Sequence, residues 1–427
     1  MSIDRRTFLQ LSSRVAGAVA VGALFGCGGG ASSTQFGQSQ SPAPGYPSNL
    51  PALPGPADSG VDHVVVVMME NRSFDHLLGW LPGADGMQSG LSYPDTSGKK
   101  TSTFRLGTNY RGCGYNDPAH NYDTARQEYD LGKMDGFLRT PGNDIFCIGY
   151  YAEEDLPFHA SLARNFTTCS RYFSSFLGPT WPNRLFLHSA QTDRLNNDGP
   201  TCTMPTIWDR LGAAGVSANY YYSNFSFLDN WGGVYNSFTR PTSQFYSDAA
   251  SGQLPAVTFL EPGWSTNGDN DDEHPHANLQ RGEHFLWKVY SALTTSPLWS
   301  KLLLVVTYDE GGGFFEHIVP PRVSPGNSLD TDMINGKVLL GFRVPTLVIS
   351  PFSTGTPDTP RISSVLYDHT SILKFIEWRW GLPALTTRDG GSDIYNLAYA
   401  LNYSSKDITL RSFAEPPMPT DPPSPCP

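Results

Sequence analysis

Two pairs of oxygen-bearing side chains are the residues of this 427-residue sequence most suited to binding a divalent cation. Glu70 is followed by Asn71, and Asp309 is followed by Glu310. Each pair comes directly after an apolar run that is typical of a buried strand. Carboxylate and amide oxygens are hard ligands for divalent cations. The two pairs predict one metal site, and they leave its ion open among zinc, calcium and manganese.

Thr180 is the residue best suited to act as a nucleophile beside such a site. It stands two residues before Pro182, and proline is tolerated in the first turn of a helix, so a helix is expected to begin here. Free backbone N–H groups at a helix start favour an anion such as phosphate. A neighbouring cation would activate the threonine hydroxyl. The alternative is an ordinary N-cap, a role that threonine often fills.

Residues 70–76, 178–184 and 308–317 resemble motifs of the bacterial phosphoesterase family that contains the non-haemolytic phospholipases C and a class of acid phosphatases. That family belongs to the alkaline-phosphatase-like superfamily. The matching segments follow the family's order from about residue 61 to residue 383. One departure is Glu316, which stands where the family usually has aspartate.

The resemblance implies a role for each residue of the two oxygen pairs and for the threonine. Thr180 would be the nucleophile. The cation would be held by four residues: Glu70, Asn71, Asp309 and Glu310.

Five histidines receive predicted roles. His120 and His274 lie in segments that resemble family motifs, and they would neutralise the phosphoryl oxygens or protonate the leaving group. His276 and His317 are weaker candidates, which would bind substrate. His369 is expected to support the fold.

These assignments predict metal-dependent hydrolysis of phosphate esters in two steps, in which Thr180 attacks phosphorus and water then releases the product. A phospholipase C-like phosphodiesterase and an acid phosphatase acting on phosphomonoesters are both compatible with the resemblance. An alternative of another class is a non-catalytic glycan-binding envelope lipoprotein that uses aromatic loops such as residues 220–222. The intact metal and nucleophile positions argue against that alternative.

The apolar patterning predicts an α/β fold with a central, mostly parallel sheet flanked by helices. Uninterrupted apolar runs predict strands that are covered on both faces, at residues 64–69, 257–260, 302–308 and 344–349. Helices are predicted at residues 158–166, 207–211 and 371–378. The resemblance implies an alkaline-phosphatase-like version of this fold. The catalytic domain is expected over residues 52–400, and an extension with a proline-rich tail over residues 401–427.

The first 27 residues are predicted to be a twin-arginine export signal. Arg5 and Arg6 precede an apolar run over residues 15–25, which is too short to span a membrane. Residues 24–27 resemble a lipobox, so Cys27 is a candidate lipid anchor, with plain cleavage near Ala31 as the alternative. Residues 28–51 predict a flexible linker. The expected location is the periplasm or cell envelope, with attachment to the membrane if Cys27 is lipidated.

Charge and cysteine content limit the partners and the redox chemistry. The formal net charge is −11 and no cluster of lysine and arginine is present, which argues against a nucleic acid partner. A small-molecule or phospholipid phosphoester is the expected partner, and the oligomeric state stays open. The sequence has six cysteines, and the five beyond Cys27 allow one or two disulfides of undetermined pairing in an exported chain. The lack of a C-x-x-C pair excludes a thiolate zinc site of the finger type.

Overall fold

A computed structural model describes residues 50–265, 271–330, 332–420 and 426. The predicted export signal, the candidate anchor Cys27, the alternative cleavage point at Ala31 and nearly all of the predicted linker lie outside the described residues. No helix of the described ranges is long and apolar enough to cross a lipid bilayer.

The regular elements alternate between strands and helices along most of the described chain. The strands are β1 (His63–Met69), β2 (Ser92–Pro94), β3 (Lys100–Ser102), β4 (Phe104–Arg105), β5 (Gly149–Tyr150), β6 (Thr167–Cys169), β7 (Ala218–Tyr222), β8 (Thr239–Pro241), β9 (Val257–Leu260), β10 (Leu302–Tyr308), β11 (Arg322–Val323), β12 (Val338–Leu339), β13 (Leu347–Ile349) and β14 (Arg361–Ser363). The α-helices are α1 (Phe74–Leu78), α2 (Tyr122–Tyr129), α3 (Pro157–Asn165), α4 (Thr180–Ser189), α5 (Ile207–Ala214), α6 (Thr242–Ser251), α7 (Leu279–Thr294), α8 (Thr370–Trp380) and α9 (Thr387–Gly390).

An eight-stranded sheet in the order β14-β6-β13-β10-β1-β9-β7-β8 forms the centre of the fold. Five of its seven strand pairings are parallel, and only β13 runs antiparallel to both of its neighbours. All seven residues of β10 and all but the first residue of β1 are buried, because helices cover both faces of the sheet. The predicted fold class, α/β with a mostly parallel central sheet flanked by helices, is confirmed.

The sequence placed most of the long elements correctly and misjudged the ends of some. Helices α3, α5 and α8 occupy the three segments where helices were predicted, although α5 extends to Ala214 and α8 to Trp380. The run at residues 344–349 forms a strand only over Leu347–Ile349. The segment starts at Val344 and Pro345, and proline cannot donate to a strand ladder.

The register of the parallel strands brings three polar groups to one edge of the sheet. Met69 of β1 is paired with Tyr308 of β10, so Glu70 and Asp309 both follow directly at that edge. Val67 of β1 is paired with Leu260 of β9, so Glu261 leaves the sheet at the same edge. Ligands bind α/β sheets beyond the carboxyl ends of the strands. This edge is therefore the place to look for a functional site.

The C-terminal segment is extended and packs along α7. The hydroxyl of Tyr290 donates to the Arg411 carbonyl oxygen at 2.7 Å, and the indole N–H of Trp287 donates to the Phe413 carbonyl oxygen at 3.2 Å. Cys426 forms a disulfide with Cys113. The structure thus gives the pairing that the sequence left open. The other three described cysteines are free and buried: Cys147, Cys169 and Cys202.

Candidate active site

The hydroxyl of Thr180 lies against the first oxygen pair. Thr180 is the first residue of α4, as Pro182 predicted, and it is only 4% exposed. Its Oγ1 donates to Glu70 Oε2 at 3.2 Å and lies 3.3 Å from Asn71 Oδ1. The structure therefore brings the predicted nucleophile and two predicted metal ligands together, although Thr180 and Glu70 are 110 residues apart.

The second oxygen pair is joined to the first through the backbone. The N–H group of Asn71 donates to Asp309 Oδ1 at 2.8 Å, and the N–H group of Glu310 donates to the same oxygen at 2.7 Å. Gly312 has a positive φ of 63°, and a Cβ atom there would lie 2.1 Å from the Asn71 carbonyl oxygen. Only glycine allows the two segments to approach this closely. The glycines after Glu310 therefore hold the second pair against the first.

Burial and mutual repulsion disfavour the ionised form of the carboxyl groups in the two oxygen pairs. Burial, followed by the charge of Asp309, raises the pKa of Glu70 well above its usual value. The same two causes raise the pKa of Glu310 well above its usual value. Asp309 Oδ2 and Glu310 Oε1 are buried, and neither has a hydrogen-bond partner among the described residues. Unpaired buried carboxylate oxygens are costly unless a cation binds them.

Arg184 supplies positive charge that the sequence analysis did not anticipate. Its guanidinium contacts Glu70 Oε1 at 2.5 Å and pairs with both oxygens of Glu261 at 2.9 Å. Its Nε is also 3.9 Å from Asp309 Oδ2. Thr180 and Arg184 are four residues apart on α4, so they share one helix face. That spacing is the signal that could have identified Arg184.

Compact groups of three possible metal donors occur at two other places in the described residues. In each group the donor atoms all lie within 4.8 Å of one another. The members of the first are Asp117, His120 and His274, and those of the second are Asp75, Glu316 and His317. Glu70, Asp309 and Glu310 do not form such a group among the described residues, and the Arg184 guanidinium lies between 2.5 Å and 3.9 Å from Glu70 and Asp309.

His120 and His274 lie together near Glu310. Their ring centroids are 5.5 Å apart. His120 lines a small pocket together with Glu310, Gly178 and Glu128. Glu128 is a buried carboxyl whose pKa is raised well above its usual value by burial. The structure thus brings His120 and His274 to the edge of the sheet where Glu310 lies.

His276 and His317 contact groups other than Thr180 and the two oxygen pairs. His276 Nε2 is 3.1 Å from the Tyr115 carbonyl oxygen. His317 Nδ1 is 2.5 Å from Asp75 Oδ2, and Arg343 pairs with Asp75 at 3.2 Å in the same cluster. Neither histidine contacts Thr180 or the oxygen pairs among the described hydrogen bonds and ion pairs. Their predicted role in substrate binding stays a prediction.

Two buried histidines contact the residues at the end of β10. His369 Nε2 donates to the Asp309 carbonyl oxygen at 2.7 Å, and burial lowers the pKa of His369 to about 4, so the ring is neutral. His159 lies 2.9 Å from the Tyr308 hydroxyl through Nε2 and 3.2 Å from Glu283 Oε1 through Nδ1. A family motif indicated a supporting role for His369. Nothing in the local sequence indicated one for His159.

Comparison with known proteins assigns the chain to a family. The model of the Phosphoesterase family matches residues 61–383, which is most of the sequence. The chain belongs to the phosphoesterase family. Phospholipase C B of Mycobacterium tuberculosis is 32% identical over 98% of this chain and 88% of its own length. Non-specific phospholipase C6 of Arabidopsis thaliana is 33% identical over 78% of this chain and 70% of its own length.

Membership of this family makes the chain a phosphoric ester hydrolase, as predicted. Non-hemolytic phospholipase C of Pseudomonas aeruginosa is a further relative, 31% identical over 75% of this chain and 54% of its own length. The relatives thus include bacterial and plant phospholipases C.

The solved structures that match this chain are much less similar to it in sequence. A protein in the alkaline phosphatase superfamily from Vibrio parahaemolyticus has a TM-score of 0.38 at 10% identity, over 82% of this chain and 74% of that one. The lipoteichoic acid synthase LtaP from Listeria monocytogenes has a TM-score of 0.41 at 9% identity, over 82% of this chain and 79% of that one. The family assignment rests on the sequence comparisons.

Proposed function

We propose that this phosphoesterase cleaves the phosphodiester of phospholipids in a phospholipase C-like reaction that uses Thr180 as nucleophile and one divalent cation. The observation that carries the proposal is the position of Thr180 Oγ1, 3.2 Å from Glu70 Oε2 and 3.3 Å from Asn71 Oδ1. The phospholipid substrate is inferred from the named relatives, which are phospholipases C.

The side chains around Thr180 fit a divalent cation. Asp309 Oδ2 and Glu310 Oε1 are buried without a partner among the described residues, and oxygen atoms are the ligands that zinc, calcium and manganese share. Glu70, Asn71, Asp309 and Glu310 would hold the ion. When bound, it would lower the pKa of the Thr180 hydroxyl and withdraw charge from a phosphate oxygen.

The residues of the chain then account for the reaction steps. Glu70 Oε2 accepts the hydrogen bond of the Thr180 hydroxyl and is placed to orient its oxygen toward phosphorus. Thr180 Oγ1 forms the new bond to phosphorus as its proton passes to Glu70 Oε2 and the bond to the alcohol leaving group breaks. His120 and His274 stabilise the charge of the phosphoryl oxygens or donate the proton to that alcohol. Water then hydrolyses the phosphothreonine and restores Thr180.

Substitution of the nucleophile tests the proposal. Thr180→Ala should lower kcat/KM by about 10³-fold or more while leaving the far-ultraviolet circular dichroism unchanged. Thr180→Ser keeps a hydroxyl in place and is the matched control, which should retain most of the activity. A Thr180→Ala variant with wild-type turnover would contradict a threonine nucleophile.

The substrate class is tested on the wild-type chain with three compounds. These are bis-4-nitrophenyl phosphate, 4-nitrophenyl phosphate and phosphatidylcholine vesicles. The proposal predicts turnover of the diester and release of diacylglycerol from the vesicles. Exclusive turnover of the monoester would instead indicate an acid phosphatase. Export to the cell envelope through residues 1–27, with Cys27 as a lipid anchor, remains a separate prediction.

A further inference from the structure

The residue before His274 is buried in a backbone conformation that L-residues rarely adopt. Glu273 has a φ of 68°, and its side chain is fully buried. A left-handed conformation is unfavourable for a residue other than glycine, so neighbouring contacts must hold it. Arg72 Nε donates to the Glu273 carbonyl oxygen at 2.8 Å, and the N–H group of His274 donates to Asp272 Oδ1 at 3.2 Å. The conformation of Glu273 therefore sets the direction in which the chain presents His274.

The carboxylate of Glu273 ties this segment to the end of β10. The Tyr308 hydroxyl donates to Glu273 Oε2 at 2.5 Å. A hydroxyl has one proton to donate, so the Tyr308 oxygen accepts a hydrogen bond from His159 Nε2 at 2.9 Å. His159 Nδ1 faces a second carboxylate, since it lies 3.2 Å from Glu283 Oε1. Both ring nitrogens are thus donors, and this charged ring lies 3.4 Å from Glu273 Oε1.

Helix α7 leaves space for the Glu273 side chain. Gly282 lies inside this helix, where glycine is less favourable than every residue except proline. A Cβ atom on Gly282 would lie 2.1 Å from Glu273 Cγ, so an alanine would fit only if Glu273 moved. Burial, hydrogen bonding and close packing therefore all fix the side chain that precedes His274.

We propose that Glu273 is a positioning residue, whose anchored carboxylate holds the backbone that presents His274 to the substrate. The His274 ring then lies beside that of His120, with 5.5 Å between the ring centroids. The inference rests on the proposed function, in which His274 acts on the phosphoryl oxygens or on the leaving alcohol. Displacing a catalytic group by about 1 Å can cost about 10²-fold in rate. Loss of the Glu273 anchor should therefore lower turnover through His274.

A double-mutant cycle on phosphatidylcholine vesicles tests the proposal. Glu273→Ala should lower kcat by about 10²-fold. Glu273→Gln keeps the size of the side chain and an acceptor for Tyr308, so it should retain more of the activity. In a His274→Gln background, Glu273→Ala should cause no further decrease. A decrease by the same factor in both backgrounds would show an effect independent of His274 and would overturn the proposal.

Glu283→Gln is the matched control for Glu273→Gln. Glu283 is also buried and also pairs with His159, but it accepts from the N–H groups at the start of α3 and not from the His274 segment. Its kcat should stay close to that of wild type. A loss as large as that of Glu273→Gln would overturn the proposal, because it would reflect the network as a whole.

A second pair of variants leaves every charged group in place. Gly282→Ala displaces Glu273 and should lower kcat, but not in the His274→Gln background. Gly212 lies inside α5, and a Cβ atom there would be at an ordinary contact distance of 3.5 Å from Phe238, so Gly212→Ala should keep the wild-type kcat. Full activity of Gly282→Ala would overturn the proposal.

Ring spectra of the histidines separate this proposal from the proposed function. In nuclear magnetic resonance of the chain with isotope-labelled histidine, the His274 signal is assigned by its absence in His274→Gln. It should shift in Glu273→Ala and stay in place in Glu283→Gln. A shift combined with wild-type turnover of His274→Gln would support the positioning and contradict the catalytic role of His274. An unmoved signal in Glu273→Ala would overturn the positioning whatever the activity is.

Discussion

At the scale of single residues, Arg184 determines how the carboxylates behind Thr180 are arranged. Its guanidinium is buried and pairs with Glu70 and Glu261, while Asp309 lies 3.9 Å away. An arginine among three carboxylates offsets part of their repulsion, although Asp309 Oδ2 has no hydrogen-bond partner among the described residues. Removing one partner of a buried ion pair is strongly destabilising, because the other charge remains buried without compensation.

Arg184→Met is therefore expected to lower the free energy of unfolding by about 3–5 kcal/mol, measured by urea denaturation. Arg164 offers the matched control, since it pairs with Glu153 at 2.7 Å on the surface. Arg164→Met should cost about 1 kcal/mol or less. Equal decreases in the free energy of unfolding of the two variants would contradict a larger stabilising contribution from the buried Arg184 pairs.

The residues with a chemical role differ in how far the sequence could predict them. Glu70 and Asp309 directly follow strong apolar runs, and Pro182 indicated the helix start at Thr180, so the placement of all three was predictable. Arg184 was missed because its four-residue spacing from Thr180 is the only signal for it, and a charged residue in a helix has no apolar pattern that marks it as buried. His159 was missed because its partners, Glu273 and Glu283, are more than 100 residues away in the chain.

At the scale of elements, the site depends on a close approach between the segments that follow β1 and β10. Gly312 permits that approach, since a Cβ atom there would lie 2.1 Å from the Asn71 carbonyl oxygen at a φ of 63°. Gly336 has a similar φ of 74°, but a Cβ atom there would meet nothing within 4 Å. An alanine at Gly336 would therefore meet only the unfavourable backbone conformation, whereas an alanine at Gly312 would also meet the steric contact with Asn71.

Gly336→Ala should lower the free energy of unfolding by about 1–2 kcal/mol, the cost of a left-handed conformation for an L-residue. Gly312→Ala should cost more than that and should also reduce turnover, because Asn71 must move. Urea denaturation and diesterase activity measure the two effects. Full activity of Gly312→Ala would contradict the inferred close approach.

Helix α3 contributes a buried charged histidine that holds two strand-end segments. His159 lies 2.9 Å from the Tyr308 hydroxyl and 3.4 Å from Glu273, the residues before Asp309 and His274. Burial opposes its charge, but Glu273 and Glu283 outweigh burial and raise the pKa of His159 to about 10. The ring is therefore protonated at pH 7.

The raised pKa predicts how stability depends on pH. The ordinary value of 6.5 applies to the unfolded chain, so the stability from His159 is fully present below about pH 6.5 and is lost as pH rises toward 10. In that window the free energy of unfolding of wild type should fall more steeply than that of His159→Gln, by about 1.4 kcal/mol per pH unit. Parallel slopes for wild type and His159→Gln would contradict a charged His159.

At the scale of the whole molecule, the disulfide joins a loop near the site to the C-terminal segment. Cys113 lies four residues before Asp117, and Cys426 lies 313 residues further along the chain. The pairing was not predictable, because it depends on how the extended C-terminal segment runs along α7. The central sheet was predictable, because its strands are long uninterrupted apolar runs.

Closing a loop of this length is expected to stabilise the folded chain by up to about 5 kcal/mol. Cys113→Ser and Cys426→Ser should lower the free energy of unfolding by similar amounts, and the double variant should lose no more than either single one. Denaturation without reducing agent measures all three. Additive losses in the double variant would contradict the pairing.

The central claim, that Thr180 forms a covalent bond to phosphorus, is tested most directly by trapping the intermediate. The enzyme is mixed with excess diester, quenched in acid within one turnover and digested for mass spectrometry. One phosphoryl group that still carries the second ester group of the diester is predicted on the peptide that contains Thr180, and none on the same peptide of Thr180→Ala. A phosphoryl group on another residue, or an unmodified enzyme during rapid turnover, would contradict the account.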